Sequence, residues 1–433
     1  MSLAAAIWSE VLPRVQELRL GATESLPEVA DACRHLAADI MRRREAEALD
    51  SRGKSLSDRD VSWLEGQLEA LLGTGPLEAF LRRGDVENIW LFGPHTGALG
   101  LVGGRQEPIG TPLFADAEEM IRFIAHLAVT HGQTGRRFDI SAPLLDLRLR
   151  TGERLFAAMA VCGTPYLTVR CHRHRVVSLD DLVASGSLSE PAAEFLATAV
   201  RPPAPANVLI CGALGAGKTT LLRALLGEIG PREIVCTLEQ TFELFLGDTH
   251  PYVFAAETRE PNSDGEGEIG MEELARRSLR SGADRVIIGE LRGPEAATFL
   301  SACGTGSDGS MATIHASSPR QALARLVRYC LSSGLAGAQS ALIAEAADVI
   351  HLVVHMSSDP RTGFRGVRSI TEVLGASGDR FEVNDIFARP RRSEPLEVVG
   401  RPRSGELIER LEEGGLDVGA WQVPTRSAGP MPA

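Results

Sequence analysis

The sequence has little lysine, few aromatic residues and no long apolar run. Only two of its 45 basic residues are lysine, Lys54 and Lys218, and arginine supplies the others. A bias this strong indicates the composition of the genome, so arginine at a given position carries little information. A lysine inside a patterned site, in contrast, marks a position where lysine chemistry is needed.

The missing features exclude several classes of protein. No apolar run reaches the roughly 18 residues that a membrane-spanning helix needs. The first residues contain acids and an early proline, whereas a signal peptide has a basic start followed by an apolar block. The seven cysteines include no CxxC pair, which argues against a disulfide framework and against a zinc site. We therefore expect a cytosolic protein with reduced cysteines and no zinc.

The net charge of −12 bears on possible partners. A broad nucleic-acid surface needs a basic footprint, so the acidic balance argues against nucleic acid as a partner. The hydrophobic content of 44% and the charged content of 24% are ordinary for globular proteins. A chain of 433 residues is long enough for two or three domains with cores of their own.

The composition changes along the chain and predicts five segments. Residues 1–70 have apolar residues at helical spacing and predict an N-terminal helical region. Residues 71–175 contain short apolar runs broken by turns, which predict a small α+β domain. A linker is expected at 176–205, ending in the stiff stretch RPPAPA. Strand-like and helix-like segments alternate over 206–388, which favours an α/β domain with a parallel sheet, and 389–433 is expected to be a loosely ordered tail with one possible helix.

The segment NVLICGALGAGKTTLLRALLGEI contains the pattern GxxxxGK[ST], formed by Gly212, Gly217, Lys218 and Thr219. It follows an apolar strand-like run and opens a helix-like one, which is the context of a phosphate-binding loop. The glycines let backbone N–H groups surround a phosphate, and the helix N-terminus adds positive potential. Lys218 would reach the β- and γ-phosphates, and the Thr219 hydroxyl would hold Mg²⁺. The predicted residues for ATP and Mg²⁺ binding are Gly212, Gly215, Ala216, Gly217, Lys218, Thr219 and Thr220.

Three later strand-like runs end in an acidic or titratable residue. EIVCTLE ends at Glu239, with Glu243 four residues further on, RVIIGE ends at Glu290, and SMATIH ends at His315. In open α/β sheets, ligands bind beyond the carboxyl ends of the strands. We therefore expect these side chains to meet the phosphate-binding loop at one edge of the sheet.

Phosphoryl transfer needs charge neutralisation, a metal ion and an oriented water. We predict that Glu290 lies beside Mg²⁺, directly or through water, and that Glu239 or Glu243 orients the attacking water. A single histidine is usually an ordinary surface or core residue, but its place at a strand end makes His315 a candidate sensor of the γ-phosphate.

An ATPase that works as a ring also needs an arginine at the γ-phosphate, from its own chain or from a neighbour. Arginine is the default cation of this sequence, so many positions qualify. The first candidates lie in the small domain that precedes the phosphate-binding loop: Arg148, Arg154 and Arg170.

Taken together, these segments resemble the type II/type IV secretion ATPase superfamily, and most of all its CpaF-like branch, which powers tight-adherence (Tad) pilus assembly. The resemblance extends from roughly residue 70 to 385. Two segments of the small domain are similar to family motifs, GTGPLEAFLRRGDVENIWLFGP and RRFDISAPLLDLRLRTGERL, and SLDDLVASGSLS resembles the family's linker. Further on, TLEQTFEL corresponds to the acidic box, ADRVIIGELRGPEA to the Walker B segment, and GSDGSMATIHASSPRQALARL to the histidine box.

The resemblance implies a RecA-like P-loop ATPase domain that follows the smaller α+β domain. It also implies a homohexamer bound peripherally to the inner face of the cytoplasmic membrane. ATP hydrolysis in such a ring would drive pilin polymerisation or protein secretion through an inner-membrane platform protein.

The sequence departs from the family pattern at several positions. Ala213, Leu214 and Ala216 replace polar or smaller residues in the phosphate-binding loop, where mainly the backbone contributes, so we expect nucleotide binding to survive. Gln240 stands where the acidic box usually has aspartate, and Ser307 stands where the histidine box usually has its first histidine. A hydroxyl cannot become cationic near neutral pH as an imidazole can, so we expect a site that is tuned, slow or coupled differently.

Two other functions stay open at this point. The departures at Gln240 and Ser307 are compatible with a nucleotide-binding scaffold that turns over little. A conjugative DNA-transfer ATPase shares the same motifs, although the acidic balance and the Tad-like small domain count against it.

Overall fold

The computed structural model describes residues 3–21, 26–50, 55–57, 59–61, 63–64, 74–102, 104–131, 137–149, 151–171, 176–261, 265–334, 339–359, 363–391 and 394–421. The chain divides into two compact units. The first comprises Met1–Thr130, Phe138–Leu145 and Leu155–Cys171, and the second comprises His131–Arg137, Asp146–Arg154 and His172–Ala433. Each unit is described by itself.

The first unit contains a helical part and a sheet. Its elements in chain order are α1 (Leu3–Gly21), α2 (Leu26–Asp50), α3 (Glu78–Leu81), β1 (Val86–Phe92), β2 (Gly97–Leu101), β3 (Gln106–Pro108), α4 (Ala117–His131), β4 (Leu144–Arg148), β5 (Arg154–Ala158) and β6 (Tyr166–Arg170). Helices α1 and α2 bury the apolar positions whose spacing predicted them, among them Val11, Val15, Cys33 and Ile40.

The sheet of the first unit has the strand order β3-β2-β1-β6-β5-β4. Strand β1 lies in its middle and pairs antiparallel with β2 and with β6. Ile89 and Leu91 are buried on one face of β1, as the alternation of side chains along a strand requires. The tip of the hairpin that joins β4 to β5 belongs to the second unit.

The second unit follows with helices and strands in alternation. Its elements are α5 (Leu179–Ala184), α6 (Glu190–Val200), β7 (Val208–Gly212), α7 (Lys218–Leu226), β8 (Val235–Glu239), β9 (Val253–Glu257), α8 (Met271–Ser278), β10 (Arg285–Leu291), α9 (Glu295–Gly304), β11 (Met311–His315), α10 (Pro319–Ser332), α11 (Gln339–Val349), β12 (Leu352–Asp359), β13 (Phe364–Ser377), β14 (Arg380–Ala388), β15 (Glu397–Val398) and α12 (Gly405–Glu413). The predicted strand ends at Glu239 and His315 coincide with the ends of β8 and β11.

A nine-stranded sheet forms the centre of the second unit, in the order β15-β14-β13-β12-β7-β11-β10-β8-β9. The six strands from β12 to β9 are parallel. Strands β13, β14 and β15 extend the sheet with antiparallel pairs. Strand β7 lies between β11 and β12, so the loop that follows β7 emerges at an inner position of the carboxyl edge.

Helices cover both faces of this sheet. Side chains alternate along β7, so Ile210 packs with α5, α6 and α7 on one face and Leu209 packs with α8 to α11 on the other. The fold is therefore a three-layer α/β structure, and the predicted parallel α/β class is confirmed.

The two segments that flank the predicted 206–388 domain pack against its core. The expected linker contains α5 and α6, and Phe195 of α6 is fully buried. The expected tail is packed rather than loosely ordered over residues 394–421. Leu407 and Leu411 lie one helical turn apart on α12 and are buried in the same cluster. Trp421 packs on Phe195 with the ring centres 5.6 Å apart. The prediction for 422–433 lies outside the described residues.

In the part of the chain that the structure describes, no helix is both long enough and apolar enough to span a membrane.

Candidate functional site

The phosphate-binding loop connects β7 to α7. Gly212 ends β7, and a Cβ atom there would lie 2.6 Å from the carbonyl oxygen of Met356 on β12, so only glycine fits. Gly217 has a φ of +95° immediately before α7, a left-handed conformation that glycine adopts without strain. Of the unusual residues of this loop, Ala216 is buried in the core and Leu214 is exposed to solvent.

Lys218 is the first residue of α7, and its side chain is buried. Its Nζ donates hydrogen bonds to the carbonyl oxygens of Gly212 at 3.3 Å and Ala213 at 3.1 Å, and it lies 3.2 Å from Nδ1 of His315. Burial lowers the pKa of Lys218, whereas the negative charge of Glu290 opposes this shift. The ammonium group is therefore held at the inner wall of the loop by three contacts.

His315 ends β11, directly opposite Gly212 of β7 in the register of the two strands. Its Nε2 lies 2.8 Å from Oε1 of Glu290, so the ring stands between Lys218 and Glu290. Burial and the charge of Lys218 lower the pKa of His315, so the imidazole is neutral near pH 7. The ammonium group of Lys218 donates to Nδ1, and these contacts assign the ring proton to Nε2, facing Glu290.

Glu290 lies near the end of β10. Its Oε2 accepts a hydrogen bond from the guanidinium group of Arg292 at 2.7 Å. Its Oε1 is buried and, among the described residues, accepts no hydrogen bond of adequate geometry, although Nε2 of His315 is near. A buried carboxylate oxygen without a hydrogen bond is uncommon in folded proteins and indicates a position for a ligand.

The residues at this edge fit Mg²⁺. Thr219 and Glu290 line one cleft, and Oε1 of Glu290 accepts no hydrogen bond of adequate geometry from the described residues. Within the described ranges, no group of three or more His, Cys, Asp or Glu side chains could hold a metal ion by itself. Mg²⁺ in nucleotide enzymes is usually held by one or two protein groups together with substrate phosphates and water. The donor set therefore suits a magnesium ion that binds together with a nucleotide.

Glu239 is the most strongly shifted acid of this edge. It is buried at the end of β8, and its Oε2 accepts hydrogen bonds from the backbone N–H groups of Glu243 at 2.7 Å and Leu244 at 2.9 Å. Burial raises the pKa of Glu239 to about 7, and these two hydrogen bonds only partly oppose it. A carboxyl group with a pKa near the working pH can act as a general base. Glu239 also fixes the turn that places Glu243 in the same cleft.

The three predicted arginines are placed differently. Arg154 lines the cleft that contains Thr219 and Glu290. Arg148 donates a hydrogen bond to Glu257 at 3.0 Å, and its guanidinium carbon lies 4.8 Å from the centre of the Phe242 ring. Arg170 is exposed at the end of β6 in the first unit. A role for any of them at the γ-phosphate stays a prediction.

Three residues at this edge escaped the sequence analysis. Arg292 pairs with Glu290, Glu295 accepts the backbone N–H groups of Arg292 and Gly293, and Arg325 donates to the carbonyl oxygen of His315 at 2.5 Å. The charged pair of Glu290 and Arg292, two residues apart after a buried strand, was a signal for Arg292. Arg325 had no such signal, because its contact depends on how α10 packs beside β11.

The structure places the departure at Ser307 away from this edge. Ser307 precedes β11, its carbonyl accepts the hydroxyl of Ser310, and the backbone N–H of Ser310 donates to Asn207, which precedes β7. Strands β7 and β11 are parallel, so these residues lie at the amino edge of the sheet. The five residues of β11 span about 16 Å. Ser307 therefore lies a whole strand away from His315, and the expectation of a site that is tuned, slow or coupled differently stays a prediction. Gln240 is exposed directly after Glu239.

Comparisons with known proteins agree with this geometry. Residues 139–381 match the family described as type II/IV secretion system protein. A putative conjugal transfer protein of Mycobacterium tuberculosis is 34% identical over 274 residues, which cover 61% of this chain and 75% of that protein. The type IV secretion system protein PtlH of Bordetella pertussis is 35% identical over 212 residues, covering 44% of this chain and 62% of that protein.

A solved structure shows the same fold. The ATPase DotB of Legionella pneumophila superimposes with a TM-score of 0.50 at 19% identity, over 69% of this chain and 79% of that chain. The family match covers more than half of the present sequence and includes all the strands that end at the candidate site. The chain thus belongs to the family of type II/IV secretion system proteins.

Proposed function

We propose that this protein hydrolyses ATP with Mg²⁺ and uses the energy as a motor of a pilus or secretion system. The observation that carries the proposal is the position of His315 between Lys218 and Glu290, 3.2 Å from one and 2.8 Å from the other. A lysine for phosphate and a carboxylate for the metal thereby share one neutral bridging group. A nucleotide that engages either of them must change the contacts of His315.

The residues take the following roles in this proposal. Backbone N–H groups of the loop and Lys218 bind the β- and γ-phosphates, and Thr219 with Oε1 of Glu290 holds the magnesium ion. Bound Mg²⁺ supplies neutralisation of the charge on the phosphates. Glu239, whose pKa is about 7, accepts a proton from the attacking water or orients that water through Glu243.

His315 acts as the sensor of phosphate occupancy. When Lys218 turns to a phosphate it gives up its contact with Nδ1 of His315, and the ring then keeps its contacts with the side chain of Glu290 and the backbone of Gly212. His315 is also fixed from behind, because Arg325 of α10 donates to its carbonyl oxygen. A change at the ring would thus be transmitted to α10.

The mechanical part of the proposal rests on the family. We infer a homohexamer at the inner face of the cytoplasmic membrane, coupled to an inner-membrane platform protein. One of Arg148, Arg154 and Arg170 would serve the γ-phosphate. The motifs of the small domain that resemble the CpaF-like branch favour Tad pilus assembly. Arg154 is the first arginine to test, because it lines the cleft that contains Thr219.

The decisive test is ATP turnover by the purified chain beside the Lys218→Ala variant. We expect Mg²⁺-dependent phosphate release that falls at least about a hundredfold in the variant. Equal release from both proteins would overturn the motor and favour a scaffold that binds nucleotide with little turnover. Mass measurement with and without ATP would test the hexamer.

A conjugative DNA-transfer ATPase is a second candidate. It is favoured by one observation, that relatives with 34% and 28% identity carry the name conjugal transfer protein. DNA binding by the oligomer that weakens steeply with salt would support it. Absence of such binding together with ATP turnover would leave the pilus or protein-secretion motor.

A further inference from the structure

A second surface of the ATPase unit has features that the nucleotide site does not use. Four large apolar side chains at the outer end of the nine-stranded sheet are about half exposed: Ile234 by 44%, Tyr252 by 55%, Phe254 by 51% and Leu279 by 45%. Most exposed apolar residues of a folded protein are scattered singly. These four, which we call the β9 surface, belong together.

The register of β8 and β9 shows that the strand residues of the β9 surface are neighbours. Val235 of β8 lies opposite Val253 of β9, so the preceding residues, Ile234 and Tyr252, are also adjacent. Successive side chains of a strand point to opposite faces, so Phe254 shares a face with Tyr252.

Leu279 completes the β9 surface from the helix above. Cys236 lies opposite Phe254 in the sheet, and its thiol makes a side-chain hydrogen bond with Ser278 at the end of α8. Leu279 follows Ser278 directly and caps α8. The three strand side chains therefore share the face of the sheet that α8 covers, and Leu279 lies at the end of that helix.

Strand β9 also has an open side. It is the last strand of the sheet within the described residues. The carbonyl of Tyr252 accepts the N–H of Val235 and the N–H of Thr258 donates to the carbonyl of Glu239, both at 2.9 Å. Hydrogen bonding alternates along a parallel strand, so the intervening residues Val253 and Ala255 turn their backbone N–H and C=O groups away from β8.

The charge beside this patch is positive, although the whole chain carries −12. The last turn of α8 and the residue after its cap present three exposed arginines, Arg276, Arg277 and Arg280. Arg277 is paired with Glu273 at 2.7 Å. The carboxylate of Asp284, next to the patch, is exposed and accepts the backbone N–H of Ile234 at 2.7 Å, so Arg276 and Arg280 together outweigh it in charge at this end of α8. A ligand of this surface should therefore be apolar with carboxylates at its flank.

We propose that β9 and the β9 surface form a docking site for an extended, acid-flanked apolar segment of a partner protein, which adds to the sheet as a further strand. Main-chain hydrogen bonds to Val253 and Ala255 would supply affinity, and apolar side chains over Phe254 would supply specificity. The arginines of α8 would select acidic flanks and reject basic ones. This proposal does not rest on ATP hydrolysis.

The test uses the full chain and a short synthetic peptide of alternating valine and threonine flanked by glutamates. A second peptide with lysines in place of the glutamates is the control. We expect the acidic peptide to bind, to bind more weakly as salt rises, and to slow hydrogen exchange at the amides of Val253 and Ala255. The lysine peptide should bind at least about tenfold more weakly.

Three variants separate the parts of the docking site. Phe254→Ala removes the apolar anchor, the double change Arg276→Glu with Arg280→Glu reverses the charge, and Ala255→Pro removes an outward N–H without touching the bonds to β8. Each should weaken binding by about tenfold or more. The matched controls Phe92→Ala and Arg401→Glu change exposed residues elsewhere and should have no effect. Lys218→Ala should bind the peptide normally, so a failed ATPase test would leave this result intact.

Several outcomes would overturn the proposal. Equal binding of the acidic and the basic peptide would remove the charge argument, and unchanged binding to Phe254→Ala and Ala255→Pro would place the peptide elsewhere. If the variants change the mass of the assembly and peptide binding is absent, the β9 surface is an interface between copies of this chain.

Discussion

The two edges of the nine-stranded sheet both hold buried charged and polar residues, but they differ in how these residues are satisfied. At the carboxyl edge, Lys218 and His315 share one contact, and Oε1 of Glu290 is buried without a hydrogen bond of adequate geometry. At the amino edge, Arg285 is fully buried, yet it makes two hydrogen bonds to Glu233 at 2.8 Å and one to the carbonyl of Val200.

The side chains of Asn207 and His351 at the amino edge are also fully hydrogen-bonded. Asn207 accepts the N–H of Ser310 and donates to the carbonyl of Val349, both at 2.9 Å. Its own backbone N–H donates to Nδ1 of His351, and Nε2 of that ring lies 2.9 Å from Glu406. Burial of a charge therefore does not by itself mark a site. A site is marked instead by buried groups that lack a hydrogen bond or share one contact, because a ligand can complete their hydrogen bonding.

The largest expected effect is the loss of ATP turnover after a substitution of Glu290 at the carboxyl edge. The change Glu290→Gln keeps the shape but removes the charge that would hold the metal, so we expect ATP turnover to fall by about a hundredfold or more. Binding of a fluorescent ATP analogue should be nearly unchanged, because Lys218 and the loop remain. Phosphate release and analogue titration measure the two effects. Turnover at the level of the unchanged protein would remove Glu290 from the site.

His315 gives the next effect. His315→Ala deletes the bridge between Lys218 and Glu290, and we expect turnover to fall by about tenfold to a hundredfold with ATP binding intact. His315→Gln is the informative partner variant, since an amide can accept from Lys218 and donate toward Glu290 as the neutral ring does. Partial recovery of turnover by glutamine would indicate a positioning and sensing role. If turnover falls by more than about a thousandfold in both variants, the ring must instead move a proton.

A substitution at Arg285 should disrupt the hydrogen bonds of the amino edge. Arg285→Ala removes the cationic partner of Glu233 and frees the carbonyl of Val200, which should lower the free energy of unfolding by about 3–5 kcal/mol. The control Arg277→Ala removes an exposed pair and should cost less than about 1 kcal/mol. Urea unfolding measures both. Turnover per folded molecule should not change with Arg285→Ala, and a selective loss of turnover would contradict the assignment of this edge to stability.

Glu239 should make stability depend on pH. Burial raises its pKa from 4.5 to about 7, so the folded chain holds the proton more tightly than the unfolded chain. The resulting stabilisation is fully present below about pH 4.5 and is lost as the pH rises through about 7. Between about pH 5 and pH 8 the unchanged protein should lose on the order of 2–3 kcal/mol that Glu239→Gln does not lose. Parallel slopes of unfolding free energy against pH would contradict this.

The sequence predicted the carboxyl edge well because short local patterns identify the residues there. The loop from Gly212 to Thr219 has a fixed spacing, and Glu239 and His315 stand at the ends of apolar runs that had to be strands. The amino edge was not predicted, since the partners of Arg285 lie 52 and 85 residues away and meet only through packing. The tail was expected to be loosely ordered apart from one possible helix. The structure has that helix, and Leu407 and Leu411 on it pack into the core through contacts that only the folded chain shows.

Ser307 offers the smallest expected effect and the sharpest comparison between the edges. The resemblance to the secretion ATPases suggested that a histidine missing at this position would alter the nucleotide site. The structure places Ser307 at the amino edge, where its carbonyl accepts the hydroxyl of Ser310 and its side chain makes no contact that the site uses. Ser307→His should therefore leave ATP turnover within about twofold of the unchanged protein, since groups separated by a whole strand without a shared partner act independently. A gain of about tenfold or more would show that the two edges are coupled through β11, and that the satisfied edge takes part in catalysis after all.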